Sequence, residues 1–445
     1  MDGVDDQPPK FRSHVTLALL TLLHMFTHGY GTILVPLYLP MRDDLHLSGV
    51  GAASLIVTIY TLVYCLCSVL AGMLADHADR KVLLGIGLIV NAAAILLMGL
   101  TRRYDVLIML GVLAGLAGTL FHPSANALST AHYPKSPGMA IGILSIGAAI
   151  GFFAGPRYAG WRAQTAGWQT PLVEAGIVGL VFGFLFLFVA QEVRRSVRRD
   201  ARRISSDPSS NGDTVAEAAL AKPVKVPLGR ALRWRMVGVA VTIGARDFAG
   251  LASLTLTSIY LQKAHNYSVA KAGLVIGSMM LVAIVANPLA VYLSPGRRRL
   301  WTLLGILLGG AAIIATIPFV PPAYVLPVLC LFQACHLGSY AVAEAGILER
   351  VSPAVRGRVI GIFITVAGTL ASFAPWLMGA WTDTMKERAY VASAYALPFG
   401  VLALLFVYAS TSILFIRRLG ETPTRETQVV EPIAEINPVT LEVAG

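Results

Sequence analysis

Six ionisable side chains of this chain stand inside long apolar runs: His24, His28, His122, Arg246, Asp247 and His336. If those runs cross a bilayer, such a group costs about 2.5–3.5 kcal/mol on insertion scales, and it is kept for a task. Histidine, with an ordinary pKa of about 6.5, gains and loses a proton near neutrality. His24 and His28 are four residues apart and share one face of a helix. Asp247 is the acid set deepest in an apolar run, and Arg246 beside it favours the charged carboxylate. Two chemistries follow. Asp247 and the paired histidines can share proton handling, and Arg246 can grip a carboxylate or phosphonate through two parallel hydrogen bonds. Two further readings stay open. The groups can simply join helices by hydrogen bonds, or Asp247 can take lipophilic cations with Phe26, Tyr30, Tyr260 and Phe332.

The elements that must position these groups follow from composition. Of the chain, 56% is hydrophobic and 13% charged, whereas the wet surface of a soluble domain demands nearer 25% charge. The charge is gathered between apolar stretches of about 20 residues, the length of helix that crosses a hydrocarbon core of about 30 Å. Lipid offers the backbone no partners, so such stretches are helical. Twelve are expected between residues 14 and 416, an all-α integral membrane fold of two pseudo-symmetric six-helix bundles. The six ionisable residues fall in the first (14–37), fourth (105–131), seventh (236–261) and tenth (324–348) of them. The polar stretch 191–235 reads as a basic linker between a bundle at 1–190 and one at 236–418, with a polar tail at 419–445.

The net charge of +11 does not point to nucleic acid, because 25 of the 35 Lys and Arg fall on segments that share one side with the N-terminus. That asymmetry is the positive-inside pattern and predicts a multi-pass protein of the inner (plasma) membrane with both termini cytoplasmic. The Arg-rich run at 194–203 is expected to lie on anionic lipid. Cys65, Cys67, Cys330 and Cys335 lie within apolar stretches and read as small packing residues. There is no metal-ligand spacing, nucleotide loop or nucleophile elbow, so no metal, cofactor or enzymatic activity is expected. The halves carry a faint repeat at an offset of 219 residues. It lays Gly138 and Gly142 on Gly357 and Gly361, Pro156 on Pro375, Gly160 on Gly379, and His28 on Asp247.

Three motifs carry a resemblance. Gly72-Met73-Leu74-Ala75-Asp76-His77-Ala78-Asp79-Arg80-Lys81 resembles the loop signature G-x-L-a-D-r-x-G-r-R/K of the major facilitator superfamily, with His77 and Asp79 departing from it. Its second-half counterpart, Ser294 to Arg299, keeps the basic end and has lost the acid. Gly142, Gly151, Gly155-Pro156 and Ala159-Gly160 resemble the fifth-helix motif of proton-coupled exporters, in which small residues make a smooth face for a neighbouring helix. Gly115 to Ser124, with Phe121-His122-Pro123, is similar to a fourth-helix segment of the fosmidomycin-resistance branch, and His24 and Pro36 agree with that branch. His28 stands where an Asp is expected, and Gly111 where many proton-coupled exporters have an Arg.

The resemblance implies a secondary active transporter working by alternating access. Helices 1, 4, 7 and 10 would line its cavity, with His24, His28, His122, Arg246, Asp247 and His336 serving substrate and protons. Gly72, Asp76, Arg80, Lys81, Gly151, Gly155 and Pro156 would serve gating. It further implies export of a small organic compound in exchange for protons, a role in drug resistance, and a monomer in the lipid bilayer with no nucleic-acid partner. Uptake by symport or uniport is the rival within transport; a membrane receptor or enzyme is the rival outside it.

Overall fold

The computed structural model describes residues 10–193, 229–352 and 355–419. The Arg-rich run and the tail from 420 onward lie outside the described residues. The described chain forms twelve helices long and apolar enough to cross a membrane. In the first half they are α1 (Phe11–Asp44), α2 (Val50–His77), α3 (Arg80–Leu100), α4 (Tyr104–His132), α5 (Pro137–Ala166) and α6 (Gln169–Val189). In the second they are α7 (Arg230–Lys263), α8 (Val269–Tyr292), α9 (Gly296–Phe319), α10 (Pro322–Leu348), α11 (Gly361–Thr384) and α12 (Ala392–Leu419). Residues 230–235, at the end of the stretch expected as linker, are helical and continue into α7.

Prolines place three of the breaks. α1 tightens into a 3₁₀ turn at Val35–Leu37 around Pro36. α4 stops at Gly118 and restarts at Phe121, because Pro123 has no N–H for the Thr119 carbonyl. α11 is interrupted at Phe373, ahead of Pro375, for the same reason.

The repeat seen in sequence governs the packing. α1 lies along α5 as α7 lies along α11, and the two seams between halves, α5 with α8 and α11 with α2, are likewise related pairs. The glycines of α5 form two rows. Gly151 and Gly155 receive the backbone of α1, so that a Cβ at Gly155 would stand 2.5 Å from the Gly29 carbonyl oxygen. Gly160 receives α8 of the other half, where a Cβ would stand 2.5 Å from the Val269 carbonyl oxygen, and the Pro156 carbonyl sits against Gly273. Gly379, the repeat counterpart of Gly160, lies against Gly51 and Ser54 of α2.

Among the described residues, hydrogen bonds gather the halves at one end. At the end remote from the described termini, the Asp383 carboxylate on α11 accepts hydrogen bonds from Val50 N–H (2.9 Å) and Gly51 N–H (2.8 Å), the first turn of α2. There the Ser258 hydroxyl donates to the Val35 carbonyl (2.8 Å) and the Gln262 amide to the Pro36 carbonyl (3.2 Å), joining α7 to α1. At the termini-bearing end, Gly72, Gly138, Gly142 and Gly361 have no atom within 4 Å of where a Cβ would be. At these four positions the described residues of the two halves stand apart.

Candidate functional site

The six ionisable residues fall on α1, α4, α7 and α10 and gather into two clusters, one in each half. In the first half, the helical spacing of His24 and His28 sets their Nε2 atoms 3.0 Å apart. The break in α4 turns His122 toward them, with ring centroids 5.2 Å from His24 and 5.5 Å from His28. One nitrogen from each ring lies within 4.8 Å of the others. The sequence offered no metal-ligand spacing; the structure assembles three imidazoles because His122 arrives from a distant helix. Phe121 stacks on His24 at 4.5 Å, and Phe152 of α5 stands 4.4 Å from His28. His24 Nδ1 donates to the Leu144 carbonyl at 2.7 Å, since a carbonyl oxygen can only accept. In neutral His24 the Nε2 then carries the lone pair, and His28 Nε2–H donates to it.

In the second half, Arg246 is 1% exposed and its charge is balanced locally. Its Nε and Nη2 donate to Asp247 Oδ1 at 2.8 and 2.6 Å, and its Nη1 donates to Ser339 Oγ at 3.1 Å. The guanidinium carbon lies 3.7 Å from the Tyr340 ring centroid, a cation–π contact. His336 stands 5.5 Å from Tyr340 and faces α7 at Gly250, whose missing side chain makes room for the ring. His336 Nδ1 meets Gln333 Oε1 at 3.1 Å, while its buried Nε2 has no partner among the described residues. Asp247 and the helix-1 histidines, expected to act together, are thus held in separate clusters in this conformation.

The aromatic residues offered for lipophilic cations are placed elsewhere. Tyr30 donates to the Ala175 carbonyl of α6, Phe26 stacks on Phe182, Tyr260 packs on Tyr395 and Phe399, and Phe332 on Phe406. Each packs into the core of its own half, Phe26 and Tyr30 in the first and Tyr260 and Phe332 in the second, where their large apolar area is best used.

The loop signature between α2 and α3 stands at the parted end. Asp76 is exposed and forms no ion pair among the described residues, and open space surrounds Gly72. The two departures from the signature have structural uses: His77 Nδ1 bonds the Met73 carbonyl, and Asp79 caps α3 by accepting from Val82 N–H. Arg80 Nε reaches the Ala75 carbonyl at 3.4 Å, and Lys81 N–H donates to Glu192 at 2.8 Å. Burial first, and the neighbouring Asp79 charge second, push the Glu192 carboxyl above its ordinary value; the Lys81 N–H opposes them. In the second half Arg299, the repeat counterpart of Arg80, pairs with Glu349, the residue just after α10, at 2.7 Å.

Sequence reading missed Asp383, Tyr340, Ser339 and Glu192. Asp383 had one signal: α2 starts at Gly49 and Val50 without a capping side chain of its own, so a donor pair was left for another segment to satisfy.

Two related six-helix halves, joined at one end and parted at the other around buried polar clusters, define a multi-pass membrane transporter. The sequence profile of the Major Facilitator Superfamily matches residues 17–375, and the chain belongs to that superfamily. Among curated proteins it is similar to the multidrug resistance protein MdtG of Klebsiella pneumoniae (strain 342), with 32% identity over 37% of this chain and 40% of that protein. It is also similar to multidrug resistance protein 1 of Bacillus subtilis (strain 168), with 27% identity over 34% of this chain and 39% of that one. The match thus spans about two fifths of the relatives' length. Among solved structures, an inward-facing, unoccupied bacterial homologue of the human lysosomal transporter Spinster superposes with a TM-score of 0.72 at 17% identity, covering 93% of this chain and 98% of that one. The peptide transporter POT in complex with alafosfalin gives 0.66 at 15% identity, covering 94% and 96%.

Proposed function

We propose that this protein exports a small organic compound in exchange for protons, and that Asp247 is the group whose proton is exchanged. The observation that carries the reading is the Arg246–Asp247 pair, buried on α7 with side chains 1% and 8% exposed. A carboxylate held this deeply needs either its cation or a proton. An exporter alternates between the two. Facing the cytoplasm, Asp247 releases its proton and pairs with Arg246; facing outward, protonation breaks the pair and substrate leaves. The basic residues gathered at the termini-bearing end make that end cytoplasmic by the positive-inside pattern, and the described conformation is then inward-open with Asp247 paired. The glycine and proline face of α5 and the two multidrug resistance relatives favour export.

The same pair favours a second reading. Once Asp247 is protonated, the Arg246 guanidinium is free to take a substrate carboxylate or phosphonate, which suits a proton-coupled importer of anions. Proteoliposomes carrying a pH-sensitive dye decide between these readings, with lipophilic cations and phosphonates as probes. Antiport predicts proton movement opposite to substrate, lost in Asp247→Asn. Co-directional movement selects the importer, and substrate flux without proton movement rejects proton coupling.

A further inference from the structure

We infer that His24, His28 and His122 form a binding site for one divalent first-row transition metal ion of the cobalt-to-zinc range. The inference is independent of the direction of transport and of Asp247. Three observations carry it. First, one nitrogen from each imidazole lies within 4.8 Å of the others. Ligands at about 2.0–2.1 Å around a tetrahedral ion stand roughly 3.4 Å apart. Small ring rotations close the gap between His122 and the pair, and the pair itself, at 3.0 Å, opens slightly.

Second, His24 has the outer contact of a metal-binding histidine. His24 gives Nδ1–H to the Leu144 carbonyl at 2.7 Å, which fixes the tautomer with the Nε2 lone pair facing the other two rings. His28 Nε2 carries a proton in the empty site. On metal entry that proton passes to His28 Nδ1, so the ring stays neutral and its Nε2 becomes a ligand. Phe121 and Phe152 wall the rings and hold their orientation. Third, beyond the His24–Leu144 bond, no hydrogen bond to a described residue outside the trio explains the grouping. Among the described residues His122 makes ring contacts, to His24, His28, Tyr64 and Phe121, and no hydrogen bond. His28 and His122 keep some exposed surface while His24 is 5% exposed, so an ion can reach the set from the side of His28 and His122.

The donor set selects the ion. Neutral imidazoles suit Zn²⁺, Ni²⁺, Co²⁺ and Cu²⁺ and are poor ligands for Mg²⁺ or Ca²⁺. Three histidines leave a fourth position open. With no carboxylate in the set, an anion must supply the balancing charge: hydroxide from water, or a small anionic ligand.

The test uses full-length, tag-free protein in detergent with Co²⁺ as the probe, because histidine-bound Co²⁺ absorbs visible light. One equivalent of Co²⁺ is expected to give the band, Zn²⁺ to abolish it, and Mg²⁺ to leave it unchanged. His28→Ala and His122→Ala should each weaken binding at least tenfold, and His265→Ala on an outer loop should not. His122→Asn serves as a milder change if the alanine variant is not monodisperse. Asp247→Asn should keep the band whether or not transport is lost, which separates this site from the transport reading. No band in the wild type, or a band that survives both His28 and His122 substitutions, overturns the inference.

Discussion

The two polar clusters occupy repeat-related positions and solve the same problem in opposite ways. At the position shared by His28 and Asp247, the first half places a neutral base among two others, and the second half places an acid against an arginine. Neutral imidazoles tolerate burial and are able to accept a cation. The second cluster carries two charges that are tolerable only together. Duplication supplied the positions, and each half then filled them with different chemistry. The difference predicts unequal penalties for breaking each cluster.

The largest effect is expected in the second half. Arg246→Leu leaves the Asp247 carboxylate buried without its cation and should cost about 3–5 kcal/mol, whereas the double variant Arg246→Leu/Asp247→Leu should recover most of it. His122→Ala removes a neutral ring and should cost about 1–3 kcal/mol through the cavity alone. Thermal unfolding in detergent ranks the three. If His122→Ala proves as costly as Arg246→Leu, the contrast between a charged and a neutral cluster is wrong.

The glycine rows of α5 sharpen a second comparison, between packing within a half and packing across halves. Gly151→Leu pushes α5 off α1 in every conformation and should lower thermal stability directly. Gly160→Val pushes α5 off α8, a contact between halves that alternating access would have to open. It should leave stability nearly intact and shift molecules toward the outward-open form. Spin labels at the two ends, read as a distance distribution, separate the outcomes. A stability loss in Gly160→Val equal to that of Gly151→Leu would make both rows structural.

Asp383→Asn acts on the same closure more gently. It removes the charge from the α2 cap while leaving an oxygen to accept one bond. A helix-terminus charge interaction of about 1 kcal/mol makes the shift toward the open remote end roughly fivefold. The same labels report it, and an unchanged distribution would mean that the glycine seams alone hold that end shut.

The fold was legible because its signals are long and redundant. Twelve apolar stretches, a charge asymmetry and a 219-residue repeat each point to the same two bundles. The site was legible only as separate residues. Helical spacing joined His24 to His28, but nothing in the spacing announced that Pro123 would break α4 and swing His122 onto them. Arg246 and Asp247 were readable as a pair because they are adjacent, whereas Tyr340 and Ser339 join them through a packing of α7 on α10 that no local pattern encodes. The aromatic residues misled for the complementary reason: a ring in an apolar stretch looks the same whether it lines a cavity or fills a core. Asp383 reads as an ordinary boundary acid until α2 is seen to lack its own cap.

The smallest expected effect concerns Glu192, at the parted end beside the loop signature. Its carboxyl is held above its ordinary value by burial and by Asp79, while Lys81 N–H pulls the other way. The sign follows from proton binding. Between the ordinary carboxylate value of about 4.3 and the raised folded value, the folded state binds more protons than the unfolded chain, so this contact loses stability as pH rises through that window. The first turn of α3 should therefore exchange its amide hydrogens faster at about pH 8 than at about pH 5, after correction for intrinsic exchange. Glu192→Gln keeps a neutral side chain of the same shape, and its exchange should be low and flat with pH. A pH response in Glu192→Gln equal to that of the wild type would place its origin outside Glu192.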